Sequence, residues 1–142
     1  LLLNLLLLQP GEALYLDAGN LHAYLDGTGV ELMANSDNVL RGGLTPKHVD
    51  VPELLRVLNF TDGPPNVLRG SYQTPVPDFR LTRVQLDGTH PLSSAAQIVL
   101  VTDGALTANG EHLKRGESVF IGADEAVTLS GRATVFIATP GL

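Results

Sequence analysis

The chain has no cysteine. A disulfide framework, a zinc finger, an iron–sulfur cluster and a thiol nucleophile are therefore excluded, and the composition fits a reducing compartment, here expected to be the cytoplasm. Tryptophan is also absent, methionine occurs once, and aromatic residues make up only 5%. Positive charge is scarce: 9 Lys and Arg stand against 15 Asp and Glu, a formal charge of −6 at pH 7. A nucleic-acid backbone or an anionic bilayer would be repelled overall, so neither is an expected partner. Apolar side chains are what the sequence has in quantity. Hydrophobic residues account for 44% and charged ones for 17% of the 142 residues, so the chain can bury a core and is not of the disordered type. Its length suits one domain, or two small β sheets, and leaves oligomeric state open.

Long hydrophobic runs are missing as well. The richest stretch is the opening one, Leu1-Leu2-Leu3-Asn4-Leu5-Leu6-Leu7-Leu8, and it breaks at Gln9-Pro10-Gly11. A membrane span needs about 20 apolar residues, and a signal peptide needs a basic start and a small-residue cleavage site. Neither is here. With no initiator Met and a start that reads as mid-strand, the sequence predicts an incomplete chain.

Short apolar or alternating runs dominate, at residues 5–8, 13–16, 22–25, 30–34, 79–86, 97–102, 118–121, 127–129 and 134–138. Runs of this length, rich in Val, Leu, Ile, Tyr and Phe and divided by Gly, Asp or Asn, predict an all-β barrel or sandwich. One helix is predicted over residues 51–60, with Pro52 near its start and Leu54, Leu55 and Leu58 on one side. Residues 61–77 hold four of the nine prolines and read as a connector. The expected organisation is thus a first β unit over 1–60 ending in the helix, the connector over 61–77, and a second β unit over 78–142.

The two units resemble each other. Residues 8–18, from Leu8-Gln9-Pro10-Gly11-Glu12, align with residues 113–123, from Leu113-Lys114-Arg115-Gly116-Glu117, at a constant offset of 105. With a one-residue gap, Gly27 then matches Gly131 and residues 30–34 match 134–138. The Gly-Glu pair predicts a tight turn with positive φ before a strand. Amphipathic hairpins resemble one another by chance, but a duplicated unit explains the shared register better. Within it, His22 falls opposite Val127, so one copy has an imidazole where the other has an aliphatic side chain. Alone, such a His reads as packed or solvent-facing as readily as ligating.

The segment beginning at His22 is more specific. Residues 22–47 contain His22-Ala23-Tyr24, Gly27, Glu31-Leu32-Met33-Ala34, Ser36-Asp37-Asn38, Arg41-Gly42-Gly43 and Thr45-Pro46-Lys47. This block resembles the signature of type I mannose-6-phosphate isomerase (phosphomannose isomerase), in which HAY, Gly, ExMA, SDN, RAG and TPK follow at fixed spacing; the single departure is Gly42 in place of Ala. The resemblance reaches upstream to Pro10 and downstream to Val51. It implies the C-terminal portion of a zinc enzyme with a cupin-type fold that interconverts mannose 6-phosphate and fructose 6-phosphate through an enediol.

By that resemblance, His22 is a zinc ligand, whose companions in the family (a Gln, a His and a Glu) come from upstream strands not present here, so zinc on this chain alone is expected to be weak or absent. Arg41 is expected to stabilise negative charge on the reacting carbons and Lys47 to bind the phosphate, suiting a preorganised fork and a mobile point charge respectively. Glu31 is expected to transfer a proton or orient a neighbour, and Tyr24, sharing a face with His22 at the two-residue strand period, to line the same pocket. The plainer readings are solvated cations at Arg41 and Lys47, or partners for Asp37 and Asp50, and a strand-edge Glu31. Ser36-Asp37-Asn38 reads as a supporting turn, Met33 as core, and His48, His90 and His112 as turn or surface positions. The alternative to the enzyme is a non-catalytic cupin module that binds a sugar or a small acidic ligand.

Overall fold

The computed structural model describes residues 3–36 and 38–141, and the turn expected at Ser36-Asp37-Asn38 falls outside them at Asp37. It is built almost wholly of strands. In chain order the elements are β1 (Glu12–Leu14), α1 (Val51–Val57), β2 (Val67–Arg69), β3 (Arg80–Pro91), β4 (Gln97–Ala108), β5 (Glu111–Lys114), β6 (Ser118–Ile121) and β7 (Thr128–Thr139). The fold is all-β with one short helix, as expected. The described strands form a two-stranded and a five-stranded sheet, without a closed barrel. The chain divides into two compact units, residues 1–29 with 35–70, and residues 30–34 with 71–142.

The second unit carries the core. β7 lies between β3 and β4, pairing antiparallel with both, and β4 gives its other edge to β6 in its first half and to β5 in its second. Alternate residues of these strands point to one side, and Val99, Val101, Leu106, Leu129 and Val135 are completely buried there. A straight 12-residue strand is about 40 Å long, too long for a unit this small. The strands therefore bend at glycines. Gly104 (φ 73°) follows a register shift between Val101 and Asp103, and Gly131 has φ 150°. A Cβ at Gly104 would collide with the Arg132 carbonyl, and one at Gly131 would stand 2.6 Å from that of Ala105, so only glycine lets the backbones come this close. The buried amide of Gln97 closes the β3–β4 connection by donating to the carbonyls of Ser93 (2.8 Å) and Ala95 (3.0 Å).

In the first unit, β1 and β2 form a small ladder, Glu12 opposite Arg69 and Leu14 opposite Val67. Strand β2 lies inside the stretch predicted as connector. The runs at 5–8 and 22–25, and the run at 30–34 that groups with the second unit, form no ladder among the described residues, and β1 covers only part of 13–16. Alternation selects which side chains face inward, whereas a strand also needs a neighbour to bond. The helix is shorter than predicted. Asp50 caps it by accepting from the Glu53 N–H at 3.0 Å, but Leu58 turns extended and the Asn59 N–H donates to the Gly19 carbonyl at 2.9 Å, which ends the helix early.

The matching turns at residues 9–12 and 114–117 are the same object. Gly11 and Gly116 have φ of 88° and 86°, and the backbone N–H of Glu12 and of Glu117 each donates to the carbonyl three residues back at 2.9 Å. Each Glu carboxylate also accepts from the N–H of that third residue, Gln9 or Lys114, at 2.9 Å. Gly19 and Asp124, 105 positions apart, both take positive φ.

Candidate functional site

His22 is placed by a chain of local bonds. The Tyr15 hydroxyl donates to the Asp17 carboxylate at 2.5 Å, and the Asn20 side chain donates to the Asp17 carbonyl at 3.0 Å. The Asn20 carbonyl lies 3.1 Å from His22 Nδ1. A carbonyl oxygen only accepts, so Nδ1 is the donor, and in the neutral ring the lone pair then lies on Nε2 of this exposed residue. That tautomer is the one a metal ligand requires, since a ligating imidazole commonly gives its other N–H to a carbonyl. Tyr24 meets His22 edge to face, ring centroids 6.1 Å apart and planes at 75°, as the two-residue period predicts, with its ring 76% exposed.

Arg41 is drawn toward this segment by its neighbour. A Cβ on Gly42 would collide with Leu21 Cδ1, so the backbone after Arg41 rests against the residue before His22. The glycine that departs from the family pattern thus lies where the two segments meet. The chain then turns sharply: Gly43 has φ 131° and Leu44, fully exposed, has φ 53°. A leucine in the left-handed region is held there by its surroundings at some cost. Thr45 Oγ1 accepts from the Lys47 N–H at 3.2 Å and closes the turn. Arg41 and Lys47 are both exposed, and neither pairs with a carboxylate among the described residues. Asp50, the partner considered for them, is engaged at the helix cap.

Glu31 is exposed and lies in the five-residue segment that groups with the second unit, whereas His22, Tyr24, Arg41 and Lys47 belong to the first. Met33, expected in the core, is instead 53% exposed, because its segment has no ladder to fix one face inward. His48 and His112 are exposed; His90 is half-buried within β3, opposite Leu129. The sequence did not point to Asn20 or Leu44. Asn20 stands in a turn-like Asp17-Ala18-Gly19-Asn20 stretch, but nothing in it signals which ring it orients.

Among the described residues no group of three His, Cys, Asp or Glu side chains could hold a metal ion. A zinc site takes three or four protein donors, so the tautomer of His22 suits zinc but the donor count does not. No described helix is long and apolar enough to cross a membrane.

No family model matches the chain. Curated relatives do. The mannose-6-phosphate isomerase of Bos taurus is 41% identical over 150 aligned positions, covering 89% of this chain and 36% of the relative, and that of Escherichia coli is 44% identical over 147, covering 92% and 38%. Among solved structures, the apo form of mannose 6-phosphate isomerase from Salmonella typhimurium superposes with a TM-score of 0.62 at 34% identity, covering 78% of this chain and 32% of that one. An alanine variant of the same Salmonella protein reaches a TM-score of 0.65. The chain spans little more than a third of the length of the curated relatives it matches. Over that third, in sequence and in fold, it belongs with the mannose-6-phosphate isomerases.

Proposed function

We propose that this chain carries part of the active site of an aldose–ketose isomerase that interconverts mannose 6-phosphate and fructose 6-phosphate in the cytoplasm. The observation that carries the reading is identity above 40% across nine-tenths of the chain with proteins of that name, including residues 22–47. A second supports the residue assignments: the Salmonella protein has been solved as alanine variants of a histidine, a glutamate and an arginine spaced nine and then ten residues apart, and His22, Glu31 and Arg41 have the same spacing.

The reaction moves a proton between adjacent carbons of the open-chain sugar and passes through negative charge on their oxygens. Arg41, beside the His22 segment and without a carboxylate partner among the described residues, stabilises that charge. Lys47, beyond the Leu44 turn, binds the phosphate. Glu31 transfers the proton or orients the group that does, and Tyr24 lines the sugar's side of the site. His22 presents Nε2 as one donor of a zinc site that draws its other donors from outside the described residues.

The test is kinetic, in a complete isomerase containing this sequence. Arg41→Ala should lower kcat by about 10²–10³ with little change in KM, the pattern of an interaction made in the transition state. Unchanged turnover would remove Arg41 from the mechanism.

A further inference from the structure

The second unit contains a cleft of about 440 Å³ that no part of the isomerase reading uses. It is lined by the segment that leads into β3, by the first residues of that strand and by Gly141. The volume falls in the range of small-molecule sites, about 300–1,000 Å³, and is several times that of a bare inorganic anion. Its lining is chemically selective. Beside apolar Val76, Phe79 and Leu81, the lining residues include Ser71, Thr74 and Thr82 with hydroxyls, Gln73 with an amide and Arg80 with a guanidinium, and no carboxylate is among them although the chain has 15. Arg80 is exposed and makes no ion pair among the described residues. One wall is stiff: Tyr72 is buried and lies parallel to Phe136, centroids 6.3 Å apart and planes at 5°, so the segment over the cleft is fixed to β7.

We propose that this cleft binds a small phosphorylated polyol, its oxyanion on Arg80 and its hydroxyls on the Ser, Thr and Gln side chains. An Arg that makes no ion pair among the described residues presents a fork matched to phosphate oxygens, and in a chain of net charge −6 a lining with a cation and no acid selects for an anion. Side chains that both donate and accept suit a polyol rather than an apolar ligand. The proposal does not depend on the isomerase reading.

The test is a calorimetric titration of the full chain with fructose 6-phosphate, inorganic phosphate and neutral fructose. Arg41 and Lys47 are first both changed to Ala, so that the signature cations contribute nothing. Saturable binding of fructose 6-phosphate is expected, tighter than that of phosphate, with none from fructose. Arg80→Met should weaken it tenfold or more, the loss typical of a charge-assisted hydrogen bond, while Arg132→Met, elsewhere on the sheet, leaves it unchanged. Gly141→Ala should also weaken it, because a Cβ there would stand 2.7 Å from the Pro77 carbonyl oxygen and 2.9 Å from that of Phe79 and shift the lining. The proposal is overturned by absence of saturable binding, by equal binding of neutral fructose, or by affinity that survives Arg80→Met. None of these outcomes bears on Arg41 in the complete isomerase, so the two readings fail separately.

Discussion

Truncating Leu129 to alanine tests whether the second unit is held together by the single-sided packing of its bent sheet. Leu129 is in β7, opposite His90 of β3 and Ala108 of β4, and its exposure is 0%. The substitution removes three carbon groups from a site closed to water, a transfer loss of about 2.4 kcal/mol at roughly 0.8 kcal/mol each. The void adds to that, because three long strands bonded along their length cannot collapse into it, and the total should be about 3–4 kcal/mol. A unit of roughly 80 residues has a total stability of about 4–12 kcal/mol, so the loss is a large fraction. It should lower the Tm by about 12–32 °C. Ile98 supplies the control, since it sits on the outer side of β4 opposite Phe120, is 49% exposed, and should cost about 1 kcal/mol when changed to alanine. Urea unfolding followed by circular dichroism in the β-sheet region measures both. Equal losses for Leu129→Ala and Ile98→Ala would refute the account of a core on one side of the sheet.

Local geometry sets three further outcomes. Gly116→Ala places a side chain at φ 86° with no atom within 4 Å of the new Cβ, so only the backbone term remains and the variant should lose about 1–2 kcal/mol in the same unfolding assay. In the first unit, the Gln9 N–H and then the Arg69 guanidinium, 2.7 Å away, hold the Glu12 carboxyl below its ordinary range. A depressed carboxylate stabilises the folded form above the unfolded value, about 4.3, and that contribution is lost as pH falls through the lower folded value. Amide exchange across β1 and β2 should therefore quicken below about pH 4 in the native chain and not in Glu12→Gln, whose exchange is faster but insensitive to pH there after correction for intrinsic rates. For zinc, plasma emission after desalting from an equimolar mixture should find well under one ion per chain, since His22 is a single donor; stoichiometric retention would show a donor set that is not found among the described residues.

The second unit was legible in the sequence because its signals are local. Alternation at 97–102 and 134–138 is enough to mark the inner residues Val99, Val101, Val135 and Ile137. The extension of those runs into 12-residue strands was not legible, since it depends on Gly88, Gly104 and Gly131, which in the sequence look like strand ends. In the first unit the reverse held. Residues 22–25 have strand composition but no described ladder, while Val67–Arg69, embedded among prolines, pairs with β1 and places Arg69 opposite Glu12. For the candidate site, the resemblance proposed His22, Tyr24, Glu31, Arg41 and Lys47, and of these the structure brings the His22 and Tyr24 rings together. The meeting of Leu21 with Gly42 and the grouping of residues 30–34 with the second unit are three-dimensional facts that spacing does not encode.

The twin turns at Glu12 and Glu117 bear on how the two halves came to differ. Each is closed by a glycine and a carboxylate that bonds backbone three residues away, so it asks nothing of the residues at its tip or beyond it. Such a turn is portable: at 114–117 the chain runs on from β5 into β6 along one edge of β4, and the same local bonds serve whether the segment beyond leads to a buried Val127 or to an exposed His22. A segment that opens on such a turn can carry different chemistry beyond it without any change in how the turn itself is made.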